Sequence, residues 1–589
     1  MKRIAIIDRE KCRAPEKCNY ICISVCPVQK NNKEIFKIGE DKKPLIEEEL
    51  CIGCGICVKK CPFNAIMIIN LVKEPESDLV FQYGQNTFRL YGLPVVKEKS
   101  IVGIIGRNGI GKSTAISIFA GILKPNFGEY NKNFDEKEII KRFRGTELQK
   151  YFENLYSKKI KVSYKPQNVF IFIKLYGEKS VEEILTSLIK SKEEMDRIIR
   201  EFRIENIMKR KIKELSGGEL QKILFLFSSL KEHNLLLLDE LTNYLDIYER
   251  VKIASYLLEI KEKGDSIVLI DHDLSFINTL ADIIHIVYGV QKAYGIFSSP
   301  IGTSDGINQY LSGFIRKENI RIRDKLIRLD VKPYTDKKLG KDIVSWKNLY
   351  VKLNGFELIS EGGSIRENEI VGVVGRNGIG KSTFAKVLAG ELSYEGEVSK
   401  ECEISYKPQY FDFSDEDLNV DQFIRKFNPE YRKEYNEYLF RLGLSDLLDH
   451  KISSLSGGEA QTLYCFSVLV KEADLYILDE PFAFLDIEQR INMAKFIRDI
   501  IKIRNKAALV IDHDIVLLDY VSDNIMFFDG EPGRRGIVNR PVENRIAFNM
   551  FLKVIDITMR RDEKNGIPKI NKIHSYLDRL QKERKEYYI

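Results

Sequence analysis

An α/β fold in two tandem copies, behind a small α+β head, is what the sequence predicts, and three observations carry the prediction. The nine residues from Gly106 to Thr114 recur unchanged at Gly375 to Thr383. Further motifs recur 240 positions on, Ser216 with Ser456 and Glu240 with Glu480. Eight of the ten cysteines crowd between Cys12 and Cys61, ahead of both copies. At 589 residues the chain is far beyond a single core, so three or four domains are expected.

The repeated nonapeptide reads as a phosphate-binding loop. Each copy follows an apolar run, Ile101 to Ile105 or Ile370 to Val374, that has the look of a buried strand. Glycines let backbone N–H groups close round phosphate oxygens, the lysine reaches the β- and γ-phosphates, and the serine hydroxyl ligates Mg²⁺. The helix that should follow adds its positive N-terminal end. Candidate contacts to ATP are Asn108, Gly109, Gly111, Lys112, Ser113 and Thr114 in one copy. In the other they are Asn377, Gly378, Gly380, Lys381, Ser382 and Thr383.

Lys plus Arg number 93 against 86 Asp plus Glu, a mild basic excess that allows a nucleic-acid partner without requiring one. No apolar stretch approaches the roughly 18–20 residues that cross a bilayer, and Met1-Lys2-Arg3 opens a charged segment rather than a signal-peptide core. A soluble, cytoplasmic chain with no membrane partner is expected. In that setting dense cysteines point to metal rather than disulfides.

Cys51, Cys54, Cys57 and Cys61-Pro62 have the spacing by which bacterial ferredoxins hold a 4Fe–4S cluster, the fourth cysteine serving the other cluster of a pair. Cys12, Cys18, Cys22 and Cys26-Pro27 run more loosely to the same Cys-Pro ending. Two 4Fe–4S clusters are therefore assigned in a ferredoxin-like domain over residues 1–75, one to Cys12, Cys18, Cys22 and Cys61, the other to Cys26, Cys51, Cys54 and Cys57. Zinc competes, because paired thiolates also suit a tetrahedral site, though two Cys-Pro endings are not a zinc habit. So small a core should draw much of its stability from ligation.

After the first phosphate loop come Gln167, Leu215-Ser216-Gly217-Gly218-Glu219, Asp239-Glu240 and His272. The second half repeats them as Gln409, Leu455-Ser456-Gly457-Gly458-Glu459, Asp479-Glu480 and His513, offset by 240 to 242 positions, which marks duplicated domains. The order of motifs resembles the ABC-type ATPases, with LSGGE the most specific feature. That resemblance implies two halves closing head to tail within a monomer, so that Lys112 faces Ser456 and Gly458 while Lys381 faces Ser216 and Gly218. It also implies that Glu240 and Glu480 orient or deprotonate water and that His272 and His513 sense the γ-phosphate. Asp239 and Asp479 would hold Mg²⁺ with Ser113 and Ser382, and Gln167 and Gln409 would serve both the metal and the water, since phosphoryl transfer is mostly positioning plus electrostatics.

Lys112 to Lys381 is 269 positions, so the first half carries about 27 extra residues, assigned as a helix–loop–helix insertion near 131–158. From Asn131 to Lys161 nine Lys/Arg stand against five Asp/Glu, which reads as a basic, aromatic-bearing surface for RNA or else as a solvated hairpin. The domain map is then 1–75, a first ATPase domain 76–292, a hinge 293–340, a second ATPase domain 341–530, and a second hinge with a charged tail 531–589 that packs against the first half.

A ferredoxin-like head, twin ATPase halves, an insertion in the first half only and a basic hinge together resemble subfamily E of the ABC proteins, the ribosome-recycling ATPases once called RNase L inhibitor. Arg142 to Gln149, Tyr294-Gly295 and the closing Asn571 to Tyr588 are similar to segments of that family. The resemblance implies ATP-driven splitting of ribosomes after termination or stalling, with a release factor or its stalled-ribosome relative as partner and contacts chiefly to the small subunit and its RNA. It implies that Tyr83 and Phe88 stack on adenine in the first site and Phe356 in the second. There are departures: a Cys12–Cys18 gap one residue long, Leu241 where the second half has Pro481, and Thr462 where arginine is usual. Two other functions fit parts of the sequence, a transporter's energy subunit and an ATP-gated electron-transfer protein.

Overall fold

The computed structural model describes residues 2–31, 33–71, 78–324, 326–327, 340–353, 355–400, 402–410, 417–561, 568–571 and 575–588. In the head, strand Lys2–Ile7 pairs antiparallel with Ile66–Leu71, and the hairpin Phe36–Ile38/Pro44–Ile46 lies beside them. Short helices Ile21–Ser24, Pro27–Lys30 and Ile56–Lys60 fill the space between. Cysteines make up a large part of the core, with Cys12, Cys22, Cys26, Cys51 and Cys57 buried among Ala5, Ile7, Phe36 and Ile66.

Each ATPase half is built on one mixed sheet. In the first, the parallel strands Ile283–Val290, Ile101–Ile105, Ser266–Ile270, Leu235–Asp239 and Val162–Lys165 lie side by side in that order. Ile101–Ile105, Leu235–Asp239 and Ser266–Ile270 are buried along their whole length, which is why they read as continuous apolar runs rather than alternating ones. The second half repeats the order with Asn524–Glu531, Ile370–Val374, Ala507–Ile511, Leu475–Asp479 and Ile404–Lys407.

The sheets run past the expected ends of both ATPase domains. Tyr294–Phe297 and Ile301–Gly302 pair with Ile283–Val290, carrying the first domain beyond 292. Arg535–Val538 and Val542–Glu543 pair with Asn524–Glu531, carrying the second beyond 530. The returning strands are short and mixed in composition, so only their pairing reveals them. The hinges begin instead with helices Thr303–Ser312 and Asn544–Val554. From the first hinge Arg323 reaches Glu488 of the second half at 2.7 Å. The stretch 328–339 of the expected hinge lies outside the described residues. The tail touches both halves: strand Pro568–Ile570 packs on helix Leu274–Leu280 of the first and on helix Ile515–Val521 of the second, and Tyr588 packs on Phe548 of the second hinge.

The insertion forms helices Glu136–Arg142 and Glu147–Tyr156, parted by Gly145 at φ 82°. Its aromatic residues do not face outward, as expected of an RNA surface. Phe143 and Phe152 stack at 4.9 Å inside the domain, and the Tyr151 hydroxyl donates to the Phe119 carbonyl at 2.6 Å. What remains outside is basic, with Lys141, Arg142 and Arg144 exposed. Amphipathic spacing cannot say which face of a hairpin the rest of its own domain covers.

The head is fastened to the first half through Asn86, which is 1% exposed. Its amide donates to the carbonyls of Ala5 and Ile46 at 3.1 and 3.0 Å and accepts from the Ile46 N–H at 2.7 Å. Beside it, one terminal nitrogen of Arg89 lies 2.7 Å from both carboxylate oxygens of Glu48. Ile4 and Ile6 close the seam against Ala293. Asn86→Ala strips partners from three buried backbone groups, so the head and first half together should lose about 1–3 kcal/mol, read as a lower denaturation midpoint with an unchanged m-value.

Candidate active sites

Both phosphate loops take the conformation that the glycines permit. Gly109 and Gly111 have φ of 71° and 92°, and Gly378 and Gly380 have 71° and 97°. A Cβ on Gly111 would stand 2.5 Å from the Phe88 ring and one on Gly380 2.8 Å from Phe356, so these rings sit directly beneath the two loops. Tyr83 is 55% exposed at the mouth, its hydroxyl 3.1 Å from Thr114 Oγ1. Helices Lys112–Phe119 and Lys381–Ala389 point their N-termini into the loops. Lys112 Nζ donates to the carbonyls of Gly106 and Arg107 at 2.8 and 2.7 Å, and Lys381 Nζ to those of Gly375 and Arg376 at 2.9 Å each. Burial pulls both ammonium pKa values down, against nearby carboxylates that raise them.

The carboxylate pairs lie at the end of the neighbouring strand. Glu240 accepts from Gln167 Nε2 at 2.7 Å and lies 3.6 Å from His272 Nε2; Glu480 accepts from Gln409 at 2.7 Å and lies 3.5 Å from His513. Burial pushes the Glu240 carboxyl up, but His272, Lys112 and Gln167 outweigh it and hold the group down at about 2. Asp239 and Asp479 behave oppositely. Burial and the neighbouring glutamate raise Asp239, and burial above all raises Asp479 to about 6, with Ser113 and Ser382 pulling each back in part. Both oxygens of Asp239, and Oδ2 of Asp479, are buried without a partner in hydrogen-bond geometry. An unsatisfied buried carboxylate beside a phosphate-loop serine suits a divalent cation.

The LSGGE serines are N-caps. Ser216 opens helix Gly217–Ser229 and Ser456 opens Gly457–Val470, each in a capping box with Glu219 or Glu459. The final glutamate of the motif thus holds the serine and the helix end in place for an anion. Ser216 and Gly218 line a cavity of about 850 Å³ together with Lys381, Asn377 and Glu480 from the other half. On the first loop's side, Lys292, which donates its backbone N–H to the Gly109 carbonyl, lies 3.9 Å from Glu459.

Two pairs of residues escaped the sequence reading. Asp246 accepts the Asn377 N–H of the opposite loop at 2.7 Å, and Asp486 accepts the Asn108 N–H at 3.1 Å. Buried Lys165 and Lys407 donate to the carbonyls of the two residues of each carboxylate pair, at 2.7 to 3.2 Å. Both pairs recur at the same offset as the motifs, in Tyr-Lys-Pro-Gln and Leu-Asp-Ile, and that repeat was the available signal. The departures are absorbed locally: Leu241 is fully buried with its carbonyl accepting from Gln221 at 2.7 Å, and Thr462 bonds back to the Gly458 carbonyl at 2.8 Å.

In the head the thiols fall into two sets by proximity. Cys22 is pushed up to about 12, by burial first and then by Cys61, Cys18 and Cys12. Cys57 is pushed up to about 11, by burial first and then by Cys51, Cys54 and Cys26. Buried thiols with so little nearby positive charge take the thiolate form only around a metal centre, and four thiolates per set suit a 4Fe–4S cluster.

Tandem phosphate loops, LSGGE caps and paired carboxylates behind a cysteine-ligated head define a tandem ABC ATPase carrying an iron–sulfur domain. Residues 95–243 and 362–483 match the ABC transporter family, residues 44–67 the 4Fe–4S binding domain, and residues 3–34 a possible 4Fe–4S-like domain of RNase L inhibitor. The chain is 42% identical over its whole length to an uncharacterized ABC transporter ATP-binding protein of Methanocaldococcus jannaschii, 97% of which it covers. It aligns along 100% of its length with 99% of a chain in a model of ribosome-bound archaeal Pelota and ABCE1, at 40% identity and a TM-score of 0.91. Against the archaeal ribosome recycling factor aABCE1, solved with the ribosomal stalk protein aP1, the TM-score is 0.83 at 40% identity, covering 88% of this chain and 100% of that one. The chain belongs to subfamily E of the ABC proteins, the RNase L inhibitor family, and is an ATP hydrolase that binds 4Fe–4S.

Asp246→Ala and Asp486→Ala each remove a helix cap, worth about 1 kcal/mol, together with the acceptor for the opposite loop. Each variant should therefore open the seam between the halves, seen as a longer label-to-label distance across it in the nucleotide-free protein.

Proposed function

We propose that this chain is a cytoplasmic ribosome recycling factor, splitting ribosomes into subunits after termination or stalling by ATP-driven closure of its two halves. The observation that carries the reading is the fastening of the head. Buried polar contacts at Asn86 and Glu48 tie it to the first half, while both phosphate loops lie on the seam between the halves. A ligand moves a conformational equilibrium only by its differential affinity for the two states, and ATP held between a phosphate loop and an LSGGE cap binds the closed state better. Closure then carries a stiff body with it. Relatives recorded with Pelota and with the stalk protein support the ribosome and a release-factor-like protein as partners, and the exposed Lys141, Arg142 and Arg144 support the insertion as an anchor for small-subunit RNA.

In each site Lys112 or Lys381 leaves its own loop carbonyls for the β- and γ-phosphates. Glu240 or Glu480 orients and deprotonates the attacking water, with Gln167 or Gln409 fixing one carboxylate oxygen and His272 or His513 facing the γ-phosphate. Ser113 with Asp239, and Ser382 with Asp479, would hold Mg²⁺, which neutralises charge developing on the phosphate oxygens. The aromatic residues Phe88 and Phe356, with Tyr83, supply faces for adenine. A transporter subunit would leave the head and insertion without a use.

Glu240→Gln and Glu480→Gln should each keep ATP bound and lower hydrolysis in their own site on the order of 10²-fold. Ribosome splitting, followed on sucrose gradients with release factor and ATP, should stall with either variant after one closure. Parental ATPase in both variants would mean that another group activates water, and splitting with the ATPase abolished in both sites would uncouple hydrolysis from recycling.

The head is read as holding two clusters, each ligated by one thiol foursome. Anaerobically purified protein should contain about eight irons, and Cys61→Ser should lose the cluster shared with Cys12, Cys18 and Cys22 while keeping the other. Stoichiometric zinc without iron would refute that assignment.

A further inference from the structure

The two catalytic carboxylates share most of their surroundings. Each sits at positive φ, 49° for Glu240 and 50° for Glu480. Each gives one oxygen to a glutamine at 2.7 Å and lies 3.5 to 3.6 Å from a histidine. Each offers its backbone carbonyl to a buried lysine and to the glutamine of the LSGGE helix. One contact has no counterpart. Asn243 Nδ2 donates to Glu240 Oε2 at 2.8 Å, and the residue 240 positions on is Ala483, which has nothing to donate.

We propose that Asn243 is a positioning residue for the first site's catalytic glutamate, and that Ala483 leaves the second site's glutamate without that support, so that the two sites hydrolyse ATP at unequal rates. The proposal rests on Glu240 and Glu480 being the groups that activate water. An ionised carboxylate offers about four acceptor positions on its two oxygens, so a donor on Oε2 still leaves a lone pair there for water. What the donor adds is orientation. With Oε1 alone held, the carboxylate can turn about its last bond; with Gln167 on one oxygen and Asn243 on the other, its plane is set. Only the amide N–H₂ end of Asn243 can face the carboxylate, since its carbonyl would meet negative charge.

Asn243 is itself held on both sides. Before it, Thr242 gives its N–H and hydroxyl to Asp271 at 2.9 and 2.6 Å. After it, Tyr244 turns at φ 65°, and its carbonyl accepts from Asn377 of the opposite loop at 3.2 Å. The matching stretch of the second half is looser: Phe482 stands at the place of Thr242 and gives Asp512 its N–H alone, at 3.1 Å. The first site thus has a donor on a segment tied through both the N–H and the hydroxyl of Thr242, and the second has no donor on a segment tied through one N–H.

The test is single-turnover ATP hydrolysis by the full-length protein, with the opposite site silenced by Glu480→Gln or Glu240→Gln. Asn243→Asp keeps the shape, loses the donor and adds a like charge; it should slow the first site about tenfold or more. Half-saturating ATP should stay within about twofold, because the contact is to the base and not to the nucleotide. Ala483→Asn should speed the second site. Parental rates in Asn243→Asp, a second site no faster in Ala483→Asn, or a loss shared equally between rate and ATP affinity would each overturn the proposal. If Glu240→Gln and Glu480→Gln themselves leave both sites at full rate, the assignment of the base fails, and this proposal falls with it.

Discussion

The arrangement of both active sites depends on two aspartates that each do two jobs. Asp246 caps its own helix by accepting the Glu249 N–H at 2.9 Å, and with its other oxygen accepts the Asn377 N–H of the opposite phosphate loop. Asp486 does the same with Gln489 and Asn108. One carboxylate thereby fixes a helix N-terminus and aligns it to the loop across the seam. Loop, LSGGE cap and catalytic carboxylate come from separate stretches of chain, and these two contacts give them a common frame. Burial works against the Asp246 charge, yet His513, the loop N–H and Lys381 outweigh it, so its pKa falls. A carboxylate lowered in this way stabilises the closed frame above its ordinary pKa and loses that contribution as the pH drops through the depressed value.

The seam is not symmetric even where its backbone contacts are. Arg107, next to the first loop, makes an ion pair with Glu488 at 2.6 Å, and Arg323 from the hinge joins the same carboxylate. At the equivalent place Arg376 lies over the Tyr248 ring at 4.6 Å. An ion pair with this exposure weakens with salt, whereas the cation–ring contact is less hydrated and holds its strength better. The hinge is wired to the Glu488 side through Arg323, so movement at that carboxylate is felt by the connection between the halves.

Much of the site was legible in the sequence because its chemistry is local. A phosphate loop, an LSGGE cap and a Cys-x-x-Cys run each act within one turn of chain, so residue type and spacing carry them. Their duplication removes chance as an explanation. The fold class followed from the same segments, since fully buried parallel strands appear as apolar runs ahead of each loop. Contacts made between distant stretches were not legible. Asp246 looks like any helix cap until the other half is placed against it, and Asn86, an asparagine in a turn, gives no hint of the three backbone groups that it satisfies. The last strands of each sheet were not legible for a related reason: they are recruited by pairing and not by their own composition.

Duplication also hides what differs. A near-constant offset directs attention to residues that match, and the matching set suffices to recognise two ATP sites. The working difference between those sites lies where the copies disagree, at Asn243 against Ala483 and Thr242 against Phe482. Neither exchange touches a motif residue, and by type each is an ordinary surface or core substitution. Only the position of Glu240, one oxygen toward Gln167 and the other toward Asn243, gives the exchange a meaning. If that contact orients the base, the family's two-site architecture can hold different hydrolysis rates with every catalytic group intact in both sites. A slow step and a fast step would then follow from one hydrogen bond, and not from the loss of a ligand or a base.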